Sequence, residues 1–429
     1  MEDAVEYLNE LDKFGVKPGL ERIEILLDYL DNPQDKIDII QVGGSNGKGS
    51  TSVMISSILT ATGYKVGTYN SPEIVSFYER MRIDGDYIAP AVLNRLTKKI
   101  WPYLKKIEKQ GLGHPTFFEV VTAIAFKYFA EEEVDIAVME VGLGGRLDAT
   151  NLTDNLVAAI TNISREHTEY LGDSIIEIAA EKGGIINQGG KLVTGVKNEV
   201  ALNKLKEISV QKEVEMIDVN KELELKRLNK DLKGQCFKIK GRKDYGKLQL
   251  DLLGSYQQQN LKVALGVITA LPERFKVTVD NIRQGLTDLN WPGRLELLGK
   301  NPLVILDGAH NPSGARELKR VIEEDLGYQQ LILVLGILAD KDIKEMLNIL
   351  TPLADKIILT KNTNKRASDP YEVAKALKDR DKEVEVVPKV AQAAQKAIDI
   401  ATPGDLVSIS GSLYTIAEAR KFLVKNIIN

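Results

Sequence analysis

GGSNGKGS, residues Gly43 to Ser50, is the stretch that decides the fold of this chain. It follows an apolar run, Ile37–Val42, and precedes a helical pattern that starts at Ser50. When a strand is followed by a glycine-rich loop and then a helix, the backbone N–H groups of the loop point towards one position. The positive end of the helix dipole points towards the same position. Lys48 adds a positive charge at that point. The segment therefore predicts a binding site for the phosphates of a nucleotide.

The loop departs from the usual P-loop pattern, so a purely structural explanation has to be weighed beside the functional one. Val42 takes the place of the first glycine, and Gly49 separates Lys48 from the hydroxyl residues Ser50 and Thr51. A tight glycine-rich turn that binds nothing is the alternative. The preceding strand and the following helix favour nucleotide binding.

Length and composition narrow the class of protein. A chain of 429 residues exceeds one typical core and predicts two domains. The net charge of −4 shows no basic excess for nucleic acid. Cys236 is the single cysteine, which excludes an internal disulfide and fits a reducing cytoplasm. The chain has neither a signal-peptide pattern nor an apolar run of about 20 residues, so we expect a cytoplasmic protein that does not bind a membrane.

Strand-like runs alternate with helical patterns through the N-terminal half. The predicted strands are Ile37–Val42, Lys65–Tyr69, Asp135–Val141, Val157–Ile163 and Lys191–Thr194. Helical patterns lie between them, at Ser50–Thr62, Phe118–Ala130 and Ser174–Ile186. This alternation predicts an α/β fold with a mainly parallel sheet. Ligands bind beyond the carboxyl ends of such strands, so we expect the loops after Val42, Val141 and Ile163 to converge.

A second series of strands and helices occupies the C-terminal third. Its predicted strands are Pro302–Asp307, Leu331–Ile337, Lys356–Thr360, Glu383–Val387 and Asp405–Ser410. Trp291-Pro292-Gly293 interrupts the pattern before it and predicts a linker at about 291–297. Residues 1–292 are then a P-loop ATPase-type domain, with a charged peripheral extension at about 195–250. Residues 298–429 form a smaller, Rossmann-like doubly wound domain.

Glu140 is a candidate metal ligand. It ends the predicted strand Asp135–Val141 and is followed by the loop GLGGRLDATN, which runs from Gly142 to Asn151. A carboxylate at that position, beside a phosphate loop, suits Mg²⁺, which prefers oxygen ligands and bridges them to phosphates. The alternative is an acid that caps a helix or a turn. Three glycines, Arg146 and Asp148 in the same loop favour a site.

Three histidines and Lys182 are further candidates for the site. His167 follows the strand Val157–Ile163 and is expected to face the phosphate loop as a metal ligand or phosphate contact, although a hydrogen-bonded loop histidine is the alternative. His310 lies in LDGAHNP, where Asp307 could hold a ribose hydroxyl or orient His310. His114 is expected to be a loop residue without chemistry. Lys182 is expected to be an exposed lysine at a helix C-terminus.

Eleven segments, in order, resemble motifs of the Mur ligase superfamily, in its folylpolyglutamate synthase / dihydrofolate synthase branch. They are GLERI, GGSNGKGS, NSPEIVSFYERMRIDG, EVGLGGRLDATN, SREHTEYLG, EKGGI, SYQQQN, WPGR, LDGAHNP, LADKD and SGSLY. The resemblance covers nearly the whole chain, and EVGLGGRLDATN at Glu140–Asn151 is its most specific part.

The resemblance implies an ATP-dependent ligase that adds L-glutamate to the carboxylate of a folate through an acyl phosphate, with Mg²⁺ as cofactor. It leaves open whether dihydropteroate is also a substrate. We expect a monomer whose partners are these small molecules.

Residue roles are implied by the same resemblance. The ATP-binding positions are Asn46, Gly47, Lys48, Gly49, Ser50, Asn260, Arg294 and Asp307. The metal ligands are Ser71, Glu140 and His167. The folate-binding positions are Thr116, Leu147, Asp148 and Ala149. Lys182 matches a lysine that is carbamylated in the family, and the catalytic set is Lys48, Glu140, His167 and Lys182.

Four positions depart from the family pattern. Glu73 replaces a histidine, Glu166 an aspartate, Gly183 an alanine and Ser45 a threonine. Only Glu73 changes the chemical type, so the contacts of its loop to substrate are the least certain.

Three other functions are alternatives for this sequence. One is a related ligase with a non-folate acceptor; the peptidoglycan precursor ligases carry an extra N-terminal domain, whereas about 40 residues precede the phosphate loop here. The second, a P-loop ATPase that is not a ligase, leaves the second domain unexplained. The third, a dinucleotide-binding module, lacks a GxGxxG motif after the first strand.

Overall fold

The computed structural model describes residues 3–287, 289, 291–378 and 382–426. The chain divides into two compact units, as the fold class predicts. The N-terminal unit comprises Met1–Leu228, Cys236–Leu250 and Gln258–Leu289. The C-terminal unit comprises Asn229–Gln235, Asp251–Gln257 and Asn290–Asn429.

An eight-stranded sheet organises the N-terminal unit. Its strands are β1 (Ile39–Gly43), β2 (Val66–Tyr69), β3 (Met81–Ile83), β4 (Asp86–Tyr87), β5 (Ile136–Glu140), β6 (Val157–Ile160), β7 (Lys191–Thr194) and β8 (Glu215–Asp218). They are arranged in the order β4-β3-β2-β5-β1-β6-β7-β8. The six strands from β2 to β8 in this order are parallel, and β3 and β4 extend one edge antiparallel. The mainly parallel sheet is therefore confirmed.

Helices accompany these strands along the chain. They are α1 (Ala4–Glu10), α2 (Glu21–Asp28), α3 (Lys48–Ala61), α4 (Pro90–Ile107), α5 (Phe117–Glu131), α6 (Thr168–Leu171), α7 (Ile175–Gly183), α8 (Glu199–Gln211), α9 (Val219–Glu222), α10 (Gln257–Ala270) and α11 (Val279–Leu286). Capping boxes begin α5 at Thr116 and α7 at Ser174. Among the described residues, no helix combines the length and the apolar character that a membrane span requires.

Two of the hydrophobic clusters among the described residues of the N-terminal unit lie next to the candidate site. One joins α1, α2, α4 and α5 to the sheet through fully buried side chains such as Leu26, Phe126 and Tyr69. The other joins α7 and α8 to β6 and β7, with Ile160, Ile178 and Leu205 among its members. The first cluster includes residues of α5 next to its start, and the second includes residues of α7. Helix α5, which begins after the candidate residue Thr116, and helix α7, which carries Lys182, are therefore anchored in packed cores.

The charged region after residue 195 contributes strands to two sheets. Helix α8 and strand β8 lie within it, and β8 pairs with β7 at the edge of the main sheet. A separate three-stranded sheet is formed only by β9 (Glu224–Asp231), β10 (Gly234–Lys240) and β11 (Asp244–Leu250), in the order β11-β10-β9. The exposed edge position of β8 explains its charged sequence, which resembles that of a surface extension.

The C-terminal unit contains a six-stranded sheet. Its strands are β12 (Arg294–Lys300), β13 (Leu303–Asp307), β14 (Leu331–Leu335), β15 (Lys356–Lys361), β16 (Glu383–Lys389) and β17 (Leu406–Ser410). Their order is β12-β13-β17-β14-β15-β16, and only β12 pairs antiparallel within it. The helices are α12 (Pro312–Glu324), α13 (Ile343–Leu350), α14 (Pro370–Lys375), α15 (Val390–Ile400) and α16 (Leu413–Asn426). All five strands predicted for this region are present.

Candidate functional site

The phosphate loop, residues Gly43–Ser50, connects β1 to the start of α3. Gly44 has φ 137° and Gly47 has φ 82°, a region that favours glycine. A Cβ atom on Gly44 would lie 2.0 Å from Thr161 Oγ1, and one on Gly47 would lie 2.2 Å from Asn260 Oδ1. Glycine is therefore required at both positions for two independent reasons, which are the backbone conformation and the lack of space for a Cβ atom. The predicted strand, loop and helix are present, and Asn260 lies against the loop.

The segment after β6 holds the phosphate loop in place. Asn162 Oδ1 accepts from the backbone N–H of Asn46 at 2.9 Å, and its Nδ2 donates to Asn46 O at 3.0 Å. Thr161 Oγ1 donates to the same carbonyl at 2.7 Å. The backbone N–H of Ser164 donates to Ser45 Oγ at 3.0 Å. The expected convergence of the loops after β1 and β6 is thus confirmed, and β6 ends at Ile160 because the next residues turn to the phosphate loop.

Two lysines share one carbonyl of this loop. Lys48 Nζ and Lys182 Nζ each donate to Gly44 O at 3.1 Å. Lys182 Nζ also lies 2.9 Å from Glu166 Oε1. The expectation of an exposed lysine at position 182 is wrong, since only 2% of the residue is exposed. Glu166 and Gly44, which lie far from Lys182 in sequence, bury it.

The electrostatics of this cluster follow from burial and from its three charges. Burial raises the pKa of Glu166, but Lys182 and Lys48 outweigh it and bring the pKa to about 2. Glu166 is therefore a carboxylate at neutral pH. Burial lowers the pKa of Lys182, and the neighbouring charge of Lys48 acts in the same direction while Glu166 opposes both. A lysine in this position loses its proton more readily than an exposed lysine does.

Glu140 ends β5, and the residues after β2 contact its carboxylate. Glu140 Oε2 accepts from Asn70 Nδ2 at 3.1 Å and from the backbone N–H of Ser71 at 3.2 Å. The structure therefore brings together two of the three metal ligands that the resemblance implies. His167 follows β6, has φ 45° and begins α6. Among the described residues, no cluster of three histidine, cysteine or acidic side chains is arranged to hold a metal ion.

The loop from Gly142 to Asn151 is organised around Asp148. Its carboxylate accepts from the backbone N–H groups of Leu143 at 2.8 Å and Thr150 at 3.0 Å, and from Thr150 Oγ1 at 2.6 Å. Burial raises the pKa of Asp148, although these hydrogen bonds oppose the shift. Ala149 is buried, whereas Leu147 is 36% exposed. Of the predicted folate-binding residues in this loop, Leu147 presents its side chain to solvent and Asp148 stabilises the loop.

The same loop packs on the C-terminal end of α7, which carries Lys182. Arg146 donates to Glu181 Oε1 from Nε at 2.9 Å and from Nη2 at 2.7 Å. A Cβ on Gly145 would lie 2.9 Å from the carbonyl oxygen of Lys182. A Cβ on Gly183, one of the family departures, would lie 2.5 Å from Ile208 Cδ1, so the end of that side chain would have to shift. Ile208 occupies the space that an alanine methyl would need.

The remaining predicted folate contact and the Glu73 loop lie near α5. Thr116 is the N-cap of α5 and is buried. Glu73 forms an ion pair with Arg80, whose guanidinium stands over the rings of Phe77 and Phe117 at 5.6 and 4.9 Å. The glutamate that replaces the family histidine therefore neutralises a buried arginine. His114 is not isolated, since its ring stacks on Phe14 with centroids 4.2 Å apart.

Two predicted nucleotide contacts, Arg294 and Asp307, lie in the C-terminal unit as partners in the β12–β13 pair. Asp307 accepts from the backbone N–H groups of Leu295 at 3.0 Å and Ala309 at 2.9 Å. Burial raises the pKa of Asp307, against the opposing charge of Arg294. His310 Nδ1 bonds to Gly308 O at 2.8 Å.

Several residues of the site were not identified from the sequence as functional. Thr161, Asn162 and Glu166 follow β6, and their contacts to the phosphate loop require the fold to be known. In the sequence, Glu166 stands out only as a departure from the family aspartate. The one available signal is position, because polar residues after a central parallel strand lie at the binding edge of the sheet.

Comparisons with known proteins agree with this geometry. Residues 42–268 match the Mur ligase middle domain, and residues 293–413 match the Mur ligase glutamate ligase domain. A protein of Haloferax volcanii described as "Probable bifunctional folylpolyglutamate synthase/dihydropteroate synthase" is 37% identical over 97% of this chain, which spans about half (50%) of that protein. The dihydrofolate synthase/folylpolyglutamate synthase of Bacillus subtilis is 34% identical over 98% of this chain and 99% of its own length.

A solved structure resembles the whole described fold. The Mycobacterium tuberculosis folylpolyglutamate synthase, complexed with ADP and AMPPCP, has a TM-score of 0.91 and 32% identity, and the similarity covers 98% of each chain. The middle-domain match alone spans more than half of the chain, and the Bacillus relative matches nearly end to end. This chain therefore belongs to the Mur ligase family, in the group of folylpolyglutamate and dihydrofolate synthases.

Proposed function

We propose that this chain is an ATP-dependent ligase that joins L-glutamate to the carboxylate of a folate. The observation that carries the proposal is the phosphate loop with Lys48 at the start of α3, held by the segment after β6. Two findings support it: the Bacillus relative is named for folate ligation, and the similar Mycobacterium structure contains nucleotides. The partners are then ATP, L-glutamate and a folate.

The reaction needs ATP because a carboxylate and an amine do not condense in water. The γ-phosphoryl group is transferred to the folate carboxylate, which gives an acyl phosphate and ADP. The amine of glutamate attacks the acyl carbon, the C–O bond to phosphate breaks, and the amine loses a proton. Lys48 and the backbone N–H groups at the start of α3 stabilise the charge on the phosphates.

Mg²⁺ is the cofactor that we propose for this site. Glu140 and Ser71 fit it, because their oxygen atoms are the ligand type that Mg²⁺ prefers. Glu140 is nearly fully buried beside the phosphate loop, and a buried carboxylate favours a nearby cation. Mg²⁺ usually takes few protein ligands and shares phosphate oxygens, which agrees with the small donor set of Ser71, Glu140 and His167. When bound, the ion would neutralise charge on the phosphates.

The other assignments are proposals of the same kind. Asn260 contacts the phosphate loop, which supports a nucleotide role, and Arg294 and Asp307 are proposed to bind nucleotide from the C-terminal unit. Thr116, Leu147, Asp148 and Ala149 are proposed for the folate. Lys182 is proposed to be carbamylated. We propose a monomeric enzyme of the cytoplasm, which uses neither nucleic acid nor a membrane as a partner, with one domain at about 1–292 and a second at 298–429.

Dihydropteroate is a second acceptor that we propose, because the Bacillus relative is named for both activities. Dihydropteroate offers a carboxylate to the same activation chemistry, so the second activity needs no additional catalytic group. The two acceptors differ in the amide that results: dihydropteroate gives dihydrofolate, and a folate gains one residue of its glutamate tail.

A substrate panel tests the proposal. ATP, L-glutamate and either dihydropteroate or tetrahydrofolate are incubated with the chain, and products are read by mass and as released ADP. We expect ADP release that depends on both the acceptor and the amino acid. The Lys48→Ala variant should stay folded and lose at least about 100-fold in rate, since a charge stabiliser of the phosphates is gone. ADP release without an amino acid requirement would indicate an ATPase instead.

A further inference from the structure

The motif GLERI, residues 19–23, has no role in the proposed chemistry, yet its arginine is buried. Arg22 lies on α2 and is 7% exposed, and Glu119 on α5 is 4% exposed. A buried guanidinium and a buried carboxylate are costly unless they pair with good geometry. This pair is therefore a feature of the chain that needs an explanation.

Arg22 makes a fork of directed hydrogen bonds. Its Nε donates to Glu119 Oε1 at 3.0 Å and to Oε2 at 3.1 Å. Its Nη2 lies 3.0 Å from Glu119 Oε1 and donates to the carbonyl oxygen of Lys17 at 2.7 Å. A planar guanidinium with several partners fixes their relative positions, which a lysine ammonium does less well. Arg22 thus joins the segment before α2 to the first turn of α5.

Glu119 passes this constraint to Thr116. Glu119 Oε2 accepts from the backbone N–H of Thr116 at 2.7 Å, and Thr116 Oγ1 accepts from the backbone N–H of Glu119 at 3.3 Å. This capping box holds the backbone of Thr116 at the start of α5. The carboxylate of Glu119 is therefore shared between the cap of α5 and Arg22.

A second contact joins the same two segments. The ring of Phe14 stacks on that of His114, with centroids 4.2 Å apart and planes at 7°. Phe14 precedes Lys17, and His114 precedes Thr116 by two residues. The Arg22 fork and this stack therefore fix the segment 14–17 against the segment 114–119 at two separate points.

We propose that Arg22 is a positioning residue for folate binding. Through Glu119 it sets the position of Thr116, and through the Lys17 carbonyl it sets the facing segment. This inference rests on the proposed function, because the folate role of Thr116 belongs to that proposal. It predicts a selective effect: loss of Arg22 should weaken binding of the folate or dihydropteroate substrate and leave the phosphate loop unchanged.

The test compares two variants of Arg22 with a control variant of Arg95 on α4, whose partner also lies on α5. Arg22→Met removes the fork, and Arg22→Lys keeps the charge but cannot contact both Glu119 oxygens and the Lys17 carbonyl in one plane. The control is Arg95→Met, which removes an ion pair with Glu131 at the other end of α5. In the wild type, Arg95 Nη1 lies 2.7 Å from Glu131 Oε2. Twelve residues separate Glu119 from Glu131, or about 18 Å of helix. Thermal unfolding is measured for each protein.

We expect the KM for the pterin-containing substrate to rise about tenfold or more in Arg22→Met, while the KM for ATP changes less than about twofold. Arg22→Lys should give a smaller rise in the same KM. Arg95→Met should lower thermal stability without moving either KM. If Arg22→Met does not fold, the inference is tested by Arg22→Lys, in which the KM for the pterin-containing substrate should rise and the KM for ATP should not.

Two results would overturn the inference. If folded Arg22 variants have an unchanged KM for the pterin-containing substrate, the Arg22–Glu119 pair has only a structural role. The same conclusion follows if the KM values for that substrate and for ATP rise equally. Failure of the proposed function is distinguishable from both, because in that case the wild-type chain itself would show no ligation dependent on ATP and glutamate.

Discussion

Lys182 and Glu166 form a buried ion pair beside the phosphate loop, with 2.9 Å between Nζ and Oε1. The same Nζ donates to Gly44 O, which Lys48 also contacts. Helix α7 and the segment after β6 are thereby connected to the phosphate loop by charge as well as by packing. Substitutions of these residues should therefore affect the phosphate loop as well as the stability of the fold.

Glu140→Gln should weaken the dependence of activity on Mg²⁺. The glutamine can still accept from Asn70 Nδ2 and the Ser71 N–H, so the loop should keep its structure, but the negative charge is lost. We expect the Mg²⁺ concentration for half-maximal activity to rise about tenfold or more in a titration. Glu215→Gln, on the exposed edge strand β8, is the control and should match the wild type. Overlapping titrations of Glu140→Gln and wild type would exclude the ligand role.

Gly47→Ala should impair ATP binding by more than backbone strain explains. Gly47 and Gly63 stand at the two ends of α3, with φ of 82° and 96°. A Cβ on Gly63 meets nothing within 4 Å, whereas one on Gly47 would collide with Asn260. Either alanine should cost about 1–2 kcal/mol in stability from the left-handed conformation.

Only Gly47→Ala should raise the KM for ATP, by about tenfold or more, because the loop must move away from Asn260. Steady-state kinetics at varied ATP, together with thermal unfolding of both variants, separate strain from collision. The same ATP KM in Gly47→Ala and Gly63→Ala would contradict the proposed contact between the phosphate loop and Asn260.

The elements of the phosphate site could be predicted because their signals are local. The strand β1, the glycines and the helix α3 follow one another in sequence, and apolar periodicity with glycine spacing predicts all three. The prediction of β6 is less accurate: the predicted strand extends to Ile163, but the strand ends at Ile160, before the polar residues Thr161 and Asn162. Thr161 and Asn162 leave the sheet to bond Asn46, and no local pattern encodes that contact.

The environment of Lys182 could not be predicted for the same reason. A lysine at a helix end is usually exposed, and its burial here depends on Glu166 and Gly44, which come from two other segments. Asp148 is a similar case, because no local pattern predicts that its carboxylate accepts from the backbone N–H groups of Leu143 and Thr150. Residue types and strand ends predict where a site lies; tertiary contacts decide what each side chain does there.

Stability in acid should depend on Glu131. Partial burial raises the pKa of this carboxyl, but hydrogen bonds from Arg95 and Lys99 outweigh it and lower the pKa from 4.5 to about 2. A lowered folded-state pKa stabilises the fold above pH 4.5, and that stabilisation is lost as the pH falls towards 2. Wild type should therefore exceed Glu131→Gln in thermal stability at pH 7 by a margin that shrinks below pH 4.5. Arg95→Met should show the same trend, and a margin independent of pH would refute the ion-pair explanation.

Lys182 is predicted to carry a carbamate when the enzyme is active. Carbon dioxide reacts with the neutral amine, and burial together with Lys48 lowers the pKa of Lys182, which increases the neutral fraction. The carbamate is anionic and would lie beside the Glu166 carboxylate, so a cation has to compensate both charges. Lys48 is within the same cluster, and a bound Mg²⁺ would add to it.

Carbon-13 NMR with labelled bicarbonate measures this modification directly. We expect a carbamate signal in wild type that grows when Mg²⁺ and nucleotide are added, and that is absent from Lys182→Met. Lys182→Ala should lose most of its activity, and a short carboxylic acid in the buffer should restore part of it by supplying the missing carboxylate. The control is Lys191→Ala, which changes a partly exposed lysine of β7. This variant should keep both the carbamate signal and the activity. An active wild-type enzyme without the signal would leave Lys182 as the unmodified partner of Glu166, with a role limited to holding α7 against the phosphate loop.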